Sequence, residues 1–177
     1  MPTTASAFGT GSANVSEEMA ASWQAAVLDY VKQAAGEIDR VLWLGEPRPE
    51  VGTADRLGVA LTTLPLSLDM VQGCTERFGL AVVTPAIVDL EARARLALVA
   101  RLRDVQARRL LIVVPEAHAF NGESRALGLR HHLLTGAAAA APKFSVYGFD
   151  LYDYRRTPDW LNSRYWANPE RWNESRW

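Results

Sequence analysis

Cysteine is nearly absent: Cys74 is the only one in 177 residues. A lone thiol closes no internal disulfide and supplies no multi-cysteine zinc site, and its rarity fits a reducing compartment. Lysine is almost as scarce. Lys32 and Lys143 are the two lysines among 19 basic residues, and the rest are arginines. The 20 acidic residues leave a net charge of -1, so no global field draws the chain to nucleic acid or to an anionic membrane surface. No run reaches the roughly 18 uncharged apolar residues that a membrane span requires. Also missing are the GxSxG nucleophile elbow, the GxxxxGK(S/T) phosphate loop and the GxGxxG turn, which removes sequence support for hydrolase, NTPase and dinucleotide chemistry. His131 and His132 fall side by side on an expected helix, about 100° apart, and His118 adds no ligand spacing, so no metal site is expected.

What is present suits one domain. With 49% apolar and 22% charged residues, a chain of this length buries roughly 70% of its unfolded surface without a metal or disulfide staple. Residues 1–15 are rich in Thr, Ala, Ser and Gly and carry no basic, apolar secretion signal, which reads as a loose leader on a cytoplasmic protein. From Ser16, apolar residues Met19, Trp23, Val27, Tyr30, Val31 and Ala34 recur at helical spacing, with Gly36 as the expected left-handed cap. Val41–Gly45, Val59–Leu64, Leu80–Thr84 and Leu110–Pro115 read as short buried strands. Between them stand a helical turn at Ala54–Leu57, a short helix within Ser67–Arg77, and a long helix Asp89–Gln106 with Leu90, Ala94, Leu98, Leu102 and Val105 on its apolar stripe. The arginines of that helix, among them Arg93, Arg101 and Arg103, are expected mostly to face water. A further helix, Glu123–Leu134, precedes an alanine-rich connector and a last strand, Phe144–Tyr154.

Alternating strands and amphipathic helices call for an α/β fold, because right-handed crossovers place helices on both faces of a parallel sheet. The expectation is a three-layer αβα sandwich over residues 16–154, with a mostly parallel, Rossmann-like sheet of about five strands or more. The N-terminal helix from Ser16 belongs to it, and residues 155–177 form an aromatic, Trp/Arg-rich tail.

Phe78-Gly79-Leu80-Ala81-Val82-Val83, the helix through Leu102-Arg103-Asp104 and the run Arg109–Pro115 resemble the central strand, helix and strand of class I S-adenosylmethionine-dependent methyltransferases. Val41–Gly45 resembles their first strand, so the likeness spans residues 41–115. The tail, 154–177, is similar to that of a small uncharacterised bacterial family with this Rossmann-like core. The resemblance implies a cofactor seat at the turn after the first strand, where an acidic residue and a glycine-rich turn let the ligand lie on backbone amides. Here Trp43 stands at the acidic position, and Pro47 and Pro49 follow Gly45. The family also carries a carboxylate at the end of the second strand, where this chain has Leu64-Pro65 and no acid before Asp69. Together these departures imply a methyltransferase-like domain that has lost its cofactor and serves as a protein-binding or scaffolding module. The alternative is an S-adenosylmethionine-dependent methyltransferase with an atypical cofactor loop.

If a ligand binds, the candidates at the carboxyl edge of the sheet are Gly45, Glu46, Thr84 and Asp89, because open α/β folds hold ligands there. Each has a plain structural role as well. Glu46 and Glu50 can pair with Arg48, and Asp89 can be a helix N-terminal acid favoured by the macrodipole. The tail concentrates Trp160, Trp166, Trp172 and Trp177 with Arg164, Tyr165, Arg171 and Arg176. These rings either fold back to seal the sheet or, with arginine, form a hot spot for a protein partner or a second copy of the chain, through Trp160, Arg164, Tyr165, Trp166, Trp172 and Trp177. Stacking on single-stranded nucleic acid wants a basic groove, whereas Asp159, Glu170 and Glu174 balance the tail's arginines.

Overall fold

A computed structural model describes residues 11–118, 120–132 and 144–154, with side chains in the first helix from Ser22 onward. Among the described residues, six strands form one sheet in the order β2-β1-β3-β4-β6-β5. Here β1 is Arg40–Leu44, β2 Ala60–Leu64, β3 Phe78–Val83, β4 Ala107–Pro115, β5 Arg130–His131 and β6 Phe144–Asp150. Strands β1 to β4 run parallel, and β6 is antiparallel to both β4 and β5. The fold is the expected mostly parallel, Rossmann-like α/β sheet. Its last strand is shorter than expected, because Leu151–Tyr154 turns into a short helix, α6.

The period-two alternation of buried strands divides the core in two. Val41, Trp43, Leu80, Val82, Leu111 and Val113 face α1 (Gly11–Gln33), whose Trp23, Val27 and Val31 cover them. Leu42, Leu44, Ala81, Val83, Leu110, Ile112 and Val114 face the opposite layer, where Val71, Leu98, Val99 and Leu102 pack. That layer contains α3 (Leu68–Gly73) and α4 (Ala92–Arg101). Every residue of β3 is buried, as a central parallel strand covered on both faces requires. Among the described residues, no helix is long and apolar enough to cross a membrane.

Several local expectations need correction. Helix α1 starts at Gly11, before Ser16, and Gly36 is not among the glycines with positive φ. The chain instead leaves α1 through a turn in which Ile38 N–H donates to Ala34 O at 3.0 Å. The expected helix Asp89–Gln106 is broken into three. Pro85–Asp89 is a 3-10 turn, Leu90 is extended with ψ 146°, and α4 begins after Glu91, whose carboxylate accepts from the N–H groups of Arg93 and Ala94. The helix-capping acid is therefore Glu91 and not Asp89. Leu102–Gln106 then forms a π turn, which shifts the facing residues: Val105 is exposed and Gln106 is buried. Ala94 is also exposed, while Arg95 points inward and is buried. Its Nε donates to Glu123 Oε2 at 2.7 Å, and its Nη1 donates to the carbonyls of Val88 and Leu90.

The helix expected over Glu123–Leu134 stops much earlier. Helix α5 is Asn121–Ala126, and Gly128, at φ 67°, turns the chain into β5. His131 and His132 thus meet rings on opposite sides: His131 meets Tyr147 edge-on at 5.7 Å, and His132 meets Tyr30 of α1 at 5.2 Å. Burial, with a smaller push from the neighbouring His131, holds His132 below the ordinary histidine value. The folded chain therefore takes up this proton less readily than the unfolded chain. Its contribution to stability is complete above a pH of about 6.5 and is lost as the pH falls through that value toward the lower folded pKa. Urea melts at pH 7.5 and 5.5 check this: the wild type is expected to lose more stability on acidification than His132→Gln, and equal losses would contradict it.

Candidate functional site

The chain leaves β1, pairs β2 on one side of it, then crosses to place β3 on the other. This reversal is a topological switch point, and the crevice outside the carboxyl ends of β1 and β3 is where open α/β sheets hold ligands. Backbone hydrogen bonds knit the three strand ends together there. Gly45 N–H donates to Leu64 O at 2.9 Å, and Thr84 N–H donates to Leu44 O at 3.1 Å.

Gly45 is buried and has φ 90°, in the left-handed region that disfavours side chains. A Cβ on Gly45 would lie 2.3 Å from Thr84 Oγ1, 2.7 Å from Leu66 Cδ1 and 2.9 Å from Leu66 Cγ. Thr84 is wholly buried, and among the described residues its Oγ1 has no hydrogen-bond partner. Such a hydroxyl costs about 1–3 kcal/mol relative to a satisfied one, so its retention in an otherwise apolar setting needs a reason. Leu66, from the turn after Pro65, packs against the cluster on the α3/α4 side and roofs the glycine.

Two of the four candidates from the sequence, Gly45 and Thr84, are thus in contact. Glu46 is not aimed at them: it pairs with Arg48 Nε at 2.7 Å and accepts from Arg48 N–H at 3.1 Å. Glu50 pairs instead with Arg56 at 3.4 Å. Asp89 stands exposed at the end of the 3-10 turn, and no hydrogen bond links it to Gly45 or Thr84. Leu66 carries no polar group that would mark it as a site residue in the sequence. Pro65, which turns the chain sharply over the strand end, was the available signal. The tail candidates Trp160, Arg164, Tyr165, Trp166, Trp172 and Trp177 lie outside the described residues.

Trp43 does not occupy the crevice. Its indole is buried on the α1 face, stacked on Trp23 with centroids 5.6 Å apart and planes 19° apart. Trp43 Nε1–H donates to Pro47 O at 3.0 Å, and Gln24 Nε2 donates to the same carbonyl at 3.0 Å. These bonds pull the proline-bearing loop, with its cis Glu46–Pro47 bond, toward α1.

The sheet is Rossmann-like and mostly parallel, with β6 antiparallel between β4 and β5. The chain is similar to the Burkholderia thailandensis 1,6-didemethyltoxoflavin-N1-methyltransferase, solved with bound 1,6-didemethyltoxoflavin and S-adenosylhomocysteine, at 14% identity over 73% of this chain and 77% of that one, with a TM-score of 0.48. It is likewise similar to a TehB-like methyltransferase from Corynebacterium glutamicum, at 15% identity, 77% and 98% coverage and a TM-score of 0.48. A third likeness is to the magnesium protoporphyrin IX methyltransferase of Synechocystis with S-adenosylmethionine bound, at 8% identity, 72% and 80% coverage and a TM-score of 0.43. No curated protein matches the sequence. Residues 18–177 match the family of unknown function DUF6231, and the chain belongs to that family.

The expectation of no cofactor is corrected accordingly. Two of these similar proteins hold S-adenosylmethionine or its demethylated product. Trp43, which stands at the family's acidic position, turns its indole into the α1 face by strand alternation.

Gly45→Ala is expected to destabilise the fold by about 2 kcal/mol or more, from the positive φ and the Cβ overlap together. In a double-mutant cycle with Thr84→Ala the two costs should be less than additive, because the second change removes the hydroxyl that the new methyl meets. Strict additivity in chemical melts would show that the two residues do not press on one another.

Proposed function

We infer that this domain binds an S-adenosyl nucleoside, S-adenosylmethionine or S-adenosylhomocysteine, in the crevice at the carboxyl ends of β1 and β3. The ligand class follows the methyltransferase resemblance of residues 41–115. The seat follows from one observation: a buried, unpartnered Thr84 hydroxyl set against a left-handed glycine at the topological switch point. Gly45 would bring bare backbone to the ligand, and Thr84 Oγ1 would supply a polar contact. Leu66 is the residue that must yield. Its Cγ and Cδ1 lie where the space beside Gly45 would open, and a χ rotation of a leucine between staggered wells is a modest rearrangement. When bound, S-adenosylmethionine supplies an activated methyl group on a sulfonium. The chain's own part is to hold the nucleoside on the Gly45 backbone and to keep water from the Thr84 hydroxyl.

This reading makes Thr84→Val a substitution with two opposite effects. Replacing the hydroxyl by a methyl of the same shape removes an unsatisfied buried group, so the free protein should become more stable by about 1 kcal/mol, read as a higher Tm. The same change removes the polar contact, so affinity for S-adenosylhomocysteine in calorimetry should fall about fivefold. Absence of saturable heat with both S-adenosylmethionine and S-adenosylhomocysteine would overturn the assignment, as would a variant that binds as tightly as the wild type.

A further inference from the structure

A concavity lies on the α1 side of the sheet, between α1 and α2 (Thr53–Leu57), and the switch-point reading does not use it. Its volume is about 360 Å³, within the range of small-molecule clefts. Gln24, Leu28 and Lys32 form one wall. They sit four residues apart and so stack along a single stripe of the helix. Thr53, Arg56 and Leu57 face them from α2, and Pro49 and Glu50 close the groove. The floor is apolar: Leu28 and Leu57 are half-buried against the α1-side core and keep part of their surface in the groove.

The rim carries two cations and one acid. Lys32 has no ion-pair partner among the described residues. Arg56 meets Glu50 at 3.4 Å, with both side chains mostly exposed, a contact worth little in water. Arg56 also donates to Thr53 Oγ1 at 3.2 Å, which holds the guanidinium along α2. A groove with a leucine floor, an unpaired ammonium and a loosely held guanidinium complements a ligand with an apolar body and one negative head group. We propose that the α1/α2 groove is a binding site for a small amphipathic anion, a carboxylate or phosphate ester on a hydrocarbon or ring body. The body lies on Leu28 and Leu57, and the head group lies between Lys32 and Arg56 in place of Glu50. A purely apolar guest would leave the rim charges unanswered, and an inorganic anion would leave the leucines bare.

The site stands apart from the S-adenosyl reading, and octanoate tests it on the full chain. In backbone amide NMR, octanoate should give saturable shifts clustered at residues 24–32 and 49–57. The neutral counterpart 1-octanol should bind the same residues about fivefold more weakly, and Lys32→Glu, a change at an exposed position, should weaken octanoate by a similar factor. Sodium phosphate at matched ionic strength should give no saturable shifts there. Shifts absent or scattered over other surfaces would overturn the site. Equal affinity for octanol, or an undiminished Lys32→Glu variant, would overturn the head-group assignment and with it the proposal.

Discussion

Three strand ends are drawn together at one backbone position, and the carboxyl edge of the sheet takes its form from that constraint. Leu44 accepts from Thr84 and Gly45 donates to Leu64, so the last rungs of two parallel ladders meet at consecutive residues. The backbone must then leave the sheet at once. It does so with a φ of 90° and with Thr84 and Leu66 both packed where a Cβ would project. A side chain has nowhere to go at that point, and glycine is the residue that resolves it. The unpartnered Thr84 hydroxyl is the energetic residue of this crowding. It is also the feature that separates a ligand seat from an ordinary strand end, since a valine there would pack without cost.

The loop that follows ties this edge to the other side of the sheet. Pro47 O accepts from both Trp43 and Gln24, and Gln24 reaches Arg48 O as well. A side chain of β1 and one of α1 therefore hold the same loop carbonyl. The same Gln24 lines the groove between α1 and α2. Gln24 thus contacts both the loop after Gly45 and the groove between α1 and α2. A tryptophan pair under this loop, Trp23 on Trp43, contributes about 0.5–1.5 kcal/mol beyond its buried area and gives the anchoring a rigid base.

Most of the fold was legible because buried parallel strands advertise themselves. Val41–Leu44, Phe78–Val83 and Leu110–Val114 are apolar on both parities, and covered strands need that. The helices were harder, for local reasons. Glu91 outcompeted Asp89 as the cap by accepting two backbone donors, and the π turn at Leu102–Gln106 displaced a regular stripe by one residue. Arg95 looked like a solvent-facing arginine because its partner, Glu123, is 28 residues away. At the site, Gly45 and Thr84 were readable as strand-end residues, whereas their contact was not, since it depends on the crossing from β2 to β3. The side taken by the Trp43 indole was hidden for a similar reason. Its position in the strand was plain, but which parity faced α1 was settled by packing against Trp23.

The most direct test of the account is a crystal structure of the chain with S-adenosylhomocysteine. The adenosyl group is expected against the Gly45 backbone, with Leu66 rotated off the glycine and a ligand polar atom within about 3 Å of Thr84 Oγ1. A fully occupied nucleoside bound elsewhere on the molecule, with Leu66 still packed over Gly45, would contradict it.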